Sequence, residues 1–142
     1  MTYHEHDFYT WAKENAALLR AKRFDELDIE NLAEELEDMG GSRERELESR
    51  LGVLLAHLLK WRHQPERRGV SWTATIMEQR RRLERLLRKN PGLKACLDEA
   101  FMEAYGDARL IAMRETGFDQ DAFPESPPFS PTEALDSHYW PE

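Results

Sequence analysis

Leu51-Gly52-Val53-Leu54-Leu55-Ala56-His57-Leu58-Leu59-Lys60-Trp61, then Gln64-Pro65, then Trp72 through Leu87, is the stretch on which the fold turns. Leu47, Leu51, Leu54, Leu58 and Trp61 recur at three- and four-residue intervals, with Leu55 and Leu59 widening the stripe. That is the period of a helix buried along one face. Gln64-Pro65 stops it, because proline donates no backbone hydrogen bond and restricts the residue before it. Ser71 is the expected N-cap of the next helix, which turns Trp72, Ile76, Leu83, Leu86 and Leu87 inward and its arginines outward. Two such helices on a short link predict the central hairpin of an all-α bundle.

Upstream, Phe8, Trp11, Ala12, Ala16 and Leu19 mark a first helix from an Asp7 N-cap to about Lys22. Asp28 opens a second, with Ile29, Leu32, Ala33 and Leu36 at helical spacing. Gly40-Gly41 are expected to end it, and Ser42 to cap the third helix, which runs to His63. Gly52 costs that helix about 1 kcal/mol relative to alanine, and suits a close crossing. Downstream, Asn90-Pro91 supplies an N-cap and a proline at the first helical position. A fifth helix continues through Leu97, Phe101, Ala104, Ala108, Ile111 and Ala112 to a glycine cap at Gly117.

Residues 118–142 hold Pro124, Pro127, Pro128, Pro131 and Pro141 together with Phe118, Phe123, Phe129, Tyr139 and Trp140. Ser130-Pro131-Thr132-Glu133 reads as a capping box for one short helical turn. So many aromatics predict an extended strap docked on the bundle. The expected architecture is an all-α antiparallel bundle of four main helices with an N-terminal or fifth helix and a Pro/aromatic-rich C-terminal strap. Residues 1–117 form the bundle domain, and 118–142 pack on the same domain.

The formal charge of −8 is unevenly spread. Residues 1–39 carry four basic and eleven acidic side chains, residues 60–89 ten against three, and residues 90–142 three against eleven. Either the acidic flanks fold onto the basic middle, or the middle faces an anionic partner. No apolar run approaches membrane-spanning length, and the N-terminus lacks the basic start and apolar core of a leader. The lone Cys96 excludes an internal disulfide and a CxxC site, and is read as a packing residue. A cytoplasmic protein that meets no membrane is expected.

A di-metal bundle site needs Glu-x-x-His, but the residues three before His57, His63 and His138 are Leu54, Lys60 and Leu135. His4-Glu5-His6-Asp7 is ligand-rich, yet reads as a solvated lead-in. No metal and no cofactor are expected. His57 has two readings: a general acid or base, since its ordinary pKa lies near neutrality, or a core histidine bonded to Glu34 or Glu35 of the second helix. The second is preferred. Glu30, Glu34, Glu35, Glu37 and Asp38 form an acidic helix surface that can pair with Arg62, Arg67 or Arg68.

Asp25 through Gly40, Leu54 through Trp61, Gln64-Pro65 and Trp72 through Leu83 resemble the signatures of the domain-of-unknown-function family numbered twenty-nine. Asp7-Phe8-Tyr9-Thr10-Trp11 and Trp140-Pro141-Glu142 resemble its ends. The resemblance implies a bacterial, small, all-helical protein, and brings no catalytic residues with it.

These readings converge on a non-enzymatic interaction module with a protein partner, a homodimer included. The candidate cluster is Glu34, Glu35, His57, Lys60, Trp61, Arg67, Arg68 and Trp72, in a groove between the Glu30–Asp38 face and Lys60–Arg68. One alternative is nucleic-acid binding through residues 60–89, using Arg67, Arg68, Arg80, Arg81, Arg82, Arg85 and Arg88. A second is an enzyme with an interhelical site centred on His57.

Overall fold

The computed structural model describes residues 3–142, so the first two residues of the stretch inspected for a leader lie outside it. The described residues form six α-helices and no strand: α1 (Tyr3–His6), α2 (Phe8–Arg20), α3 (Ile29–His63), α4 (Val70–Lys89), α5 (Leu97–Thr116) and α6 (Pro131–Leu135). The chain divides into two compact units, Met1–Gly41 and Ser42–Glu142.

Within the first unit, Asp7 caps α2 by accepting from the Thr10 amide at 3.0 Å. Trp11 is the apolar anchor, 3% exposed, and its indole donates to Asp28 Oδ2 at 2.8 Å. Asn15 donates to the Trp11 carbonyl at 2.9 Å and accepts from the Asp28 amide at 3.0 Å. Asn31 Nδ2 adds a third bond, 2.8 Å, to Asp28 Oδ2. The bonds from Asn31 and Trp11 hold the Asp28 carboxyl below the ordinary carboxylate range. Helix α2 ends in a Schellman turn: the Arg23 amide donates to Leu18 O and the Lys22 amide to Leu19 O. Lys22 takes the left-handed position, φ 60°, where glycine is usual. His4 is packed rather than solvated, its ring edge-on to Phe8 and Trp11 and Nε2 2.8 Å from Glu35 Oε1.

The second unit is built on the expected leucine stripe. Leu47, Leu51, Leu54, Leu55, Leu58 and Leu59 of α3 are fully buried with Ile76 and Leu83 of α4. Each such burial contributes about 1.5–3 kcal/mol. Phe101, Ala104, Tyr105, Ala108 and Ala112 close the core from α5. Small residues on that face bring α5 near α3, and a Cβ on Gly52 would lie 4.0 Å from the Ala104 carbonyl. Phe123, Phe129 and Ala134, beyond α5, belong to the same core.

Several boundaries differ from the sequence reading. Gly40 and Gly41 do not end a helix, and Ser42 caps nothing: residues 29–63 are one continuous α3. The glycines fall instead where the two units meet in sequence. Helix α4 begins at Val70 with Gly69 as N-cap, so Ser71 is its second residue. Asn90 closes α4, donating from Nδ2 to Leu86 O at 2.9 Å, and a 3-10 stretch over Pro91–Cys96 precedes α5. Gly117 ends α5 in the left-handed conformation, φ 76°, and both bonds of the Ser130–Glu133 capping box are present. Among the described residues no helix is long and apolar enough to cross a membrane.

Candidate functional site

Four of the predicted residues, Lys60, Trp61, Arg68 and Trp72, are engaged at the C-terminal end of α3 and the start of α4. Lys60 is 5% exposed, ion-pairs with Glu115 of α5, and lies 5.1 Å from the Trp72 ring centre. A buried ammonium needs a partner of this kind, because its desolvation is otherwise uncompensated. Trp61 stacks obliquely on Trp140, ring centres 4.7 Å apart. Arg68 sits 5.1 Å from the Trp61 ring, while its Nε donates to the Trp61 carbonyl at 2.7 Å and its Nη2 to Pro141 O at 3.4 Å.

Arg80 completes the arrangement. Its guanidinium lies 5.3 Å from the Trp140 ring and is only 5% exposed. Nε donates to Ala134 O at 2.8 Å and Nη2 to Tyr139 O at 2.7 Å. Guanidinium, indole, indole and guanidinium therefore alternate from Arg80 through Trp140 and Trp61 to Arg68, each neighbour within cation–π or stacking range. Burial pulls the Arg80 pKa below the ordinary guanidinium value, with Asp136 and then Tyr139 acting against that pull. Chemically this is a clamp: its cations are spent on carbonyls, rings and one carboxylate.

His57 finds a hydrogen-bond partner within its own helix. His57 Nδ1 lies 2.9 Å from Val53 O, one turn back on its own helix. Burial lowers the His57 pKa, partly opposed by the Val53 contact, and Lys60 lowers it further against Glu115. Glu34 and Glu35 belong to the first unit, where Glu35 meets His4 and Glu34 is exposed. Within the second unit Arg68 bonds Trp61 O and Pro141 O. Arg67 is exposed.

Arg80, Glu115 and Trp140 escaped the candidate cluster. For Arg80 the signal was present: Trp72, Ile76, Arg80, Leu83 and Leu87 share one helical stripe, so Arg80 stands on the inward face. Its place in the run Arg80-Arg81-Arg82 disguised it as a surface charge. Glu115 and Trp140 are distant in sequence, and no local pattern links them to Lys60 and Trp61.

Surface grooves mark the second unit. One of about 1130 Å³ runs between α4 and the C-terminal segment, with Met77, Arg81, Lys94, Leu135 and Trp140 among its lining. A second, about 460 Å³, lies between α3 and α5 beside Gly52, and a third, about 360 Å³, between α3 and α4. His57 lines none of the three. Among the described residues, no three His, Cys, Asp or Glu side chains are placed to hold a metal ion.

Fold and clamp together define an all-α protein in which a Pro/aromatic C-terminal segment is held on the helices by buried Arg80 and half-buried Arg68. The chain belongs to the family described as Domain of unknown function DUF29, whose model matches residues 3–140. No curated protein and no solved structure matches it.

Proposed function

We propose that the chain is a protein-interaction module whose first unit binds a basic amphipathic helix of a partner protein. One observation carries the reading. Ile29, Leu36 and Met39 are 63%, 66% and 65% exposed at positions i, i+7 and i+10 of one helix, with half-buried Leu32 between them. That is an exposed apolar seam at coiled-coil spacing. Phe8 and Phe24 of the same unit are also exposed, and only Trp11 and Asn15 are buried among its described side chains.

Charge selects the occupant. Glu35 stands beside the seam, and Glu30, Glu34, Glu37 and Asp38 on the rest of the same helix surface are all exposed, within a segment of four basic and eleven acidic residues. Two such acidic surfaces repel, which disfavours a second copy, whereas a basic helix is attracted and steered. The nucleic-acid alternative loses support because Arg68 and Arg80 are bonded internally, while Arg82 and Arg88 pair with Glu78 and Glu84.

Titration of the full chain with a Lys/Arg-rich amphipathic helical peptide tests the reading, with an acid-rich peptide of equal hydrophobicity as control. The basic peptide binds, and Leu36→Glu/Met39→Glu weakens it at least tenfold while far-ultraviolet dichroism stays unchanged. Equal affinity for both peptides, or a dimer that the double substitution dissociates, would falsify it.

A further inference from the structure

We propose that the cleft between α3 and α4 on the second unit binds a compact phosphate-rich anion of the pyrophosphate or triphosphate kind. The cleft, about 360 Å³, is lined by Arg43, Glu46 and Arg50 of α3 and by Arg82, Arg85 and Lys89 of α4. Five cations meet one carboxylate there, in a chain whose formal charge is −8. Gathering like charges in a concave surface raises the local potential and concentrates counter-ions of opposite sign.

Internal pairing answers only part of that charge. Glu46 Oε2 accepts from Arg50 Nε at 2.9 Å, and Oε1 lies 3.5 Å from Arg43 Nη1. Arg82 pairs with Glu78 at 2.9 Å. Arg85 and Lys89 have no carboxylate partner among the described residues. The bland explanation is that basic residues complement the carbonyl end of α4, worth about half an elementary charge. It accounts for Lys89; Arg43 and Arg50 share Glu46, and Arg50 Nη1 also donates to Gln79 Oε1 at 3.4 Å, which still leaves five cations against one carboxylate in the lining.

The lining also sets the ligand class. Guanidinium forks match phosphate oxygens two at a time. Leu86 is the one apolar side chain of the wall, and no aromatic ring is present to stack a nucleobase. The volume suits two or three phosphoryl groups, and recognition is of phosphate alone. This site rests on the second unit and stands apart from the partner surface of the first.

Calorimetric titration of the full chain at low ionic strength, with inorganic tripolyphosphate, pyrophosphate, orthophosphate and a single-stranded oligonucleotide, tests it. Tripolyphosphate binds at one site, more tightly than pyrophosphate and far more tightly than orthophosphate. Arg85→Gln/Lys89→Gln, both exposed, weakens tripolyphosphate about tenfold or more, since two charge-assisted contacts are lost. Arg81→Gln/Lys94→Gln makes the same charge change in the larger groove and leaves binding intact. Equal weakening by both pairs means diffuse attraction and overturns the site, as does the absence of saturable binding. An oligonucleotide that binds more tightly and is not displaced by tripolyphosphate also overturns it, in favour of an extended nucleic acid.

Discussion

Replacing Arg80 by alanine strips two carbonyls of their donor at once. The guanidinium bonds Ala134 O at 2.8 Å and Tyr139 O at 2.7 Å, and both are charge-assisted. Such bonds contribute about 1.5–3 kcal/mol each. The cation over Trp140 adds about 0.5–1 kcal/mol. Against these stands the burial of a charge whose Nη1 finds no hydrogen-bond partner among the described residues, so the net loss expected for Arg80→Ala is about 3–4 kcal/mol. Arg80→Met separates the contributions. It keeps the apolar volume and removes the buried charge, so its expected cost is smaller, about 2 kcal/mol. Urea unfolding followed by dichroism and tryptophan emission reads both values, and Trp140→Phe assigns the emission change to the C-terminal segment. An Arg80→Ala chain within about 0.5 kcal/mol of the parent, inside ordinary surface-substitution scatter, would refute the clamp. So would an Arg80→Met chain more stable than the parent.

Three further outcomes follow from local geometry. Lys22→Gly should raise stability by up to about 1 kcal/mol, by relieving a left-handed conformation that glycine adopts freely; a lower urea midpoint contradicts this. Gly52→Ala should also stabilise, by about 1 kcal/mol at most, because helix propensity improves and the new Cβ meets the Ala104 carbonyl at 4.0 Å, an ordinary contact. A loss there means α3 and α5 sit closer than described. Burial lowers the pKa of both His57 and His63 from 6.5. The unfolded chain therefore takes up protons first: the contribution is complete above pH 6.5 and declines as pH falls below that value. His57→Gln should flatten the decline of the urea midpoint with falling pH; an unchanged slope removes His57 as its source.

The helices of the core were legible because their burial follows a period the chain displays openly. The leucines of α3, the stop at Gln64-Pro65, the Gly117 cap and the Ser130–Glu133 box each depend on neighbours within one or two turns. Gly40-Gly41 misled for an instructive reason. A glycine terminates a helix only by going left-handed, as Gly117 does, and Gly40 does not. Two glycines in a helix interior cost about 2 kcal/mol relative to alanine, and α3 runs helical through both of them. The site was less legible because its decisive contacts span the sequence. Lys60 meets Glu115, Trp61 meets Trp140, and Arg80 meets Ala134 and Tyr139, pairs that periodicity cannot register. Charge density along residues 60–89 left open whether the arginines turn to the chain itself or to a partner; tertiary packing turned Arg80 inward and tied Arg68 to the C-terminal segment.

The anchoring of that segment bears on how the protein comes to be folded during its own synthesis. Helices α3 and α4 leave the ribosome early, carrying a guanidinium whose acceptors, Ala134 O and Tyr139 O, do not yet exist. Until translation passes Tyr139, Arg80 lacks at least one of these acceptors, and until it passes Ala134 the core lacks part of its filling. The packing of the second unit is thus completed only after its C-terminal segment has been made. A nonsense codon shortly before Ala134 would leave Arg80 without either carbonyl acceptor.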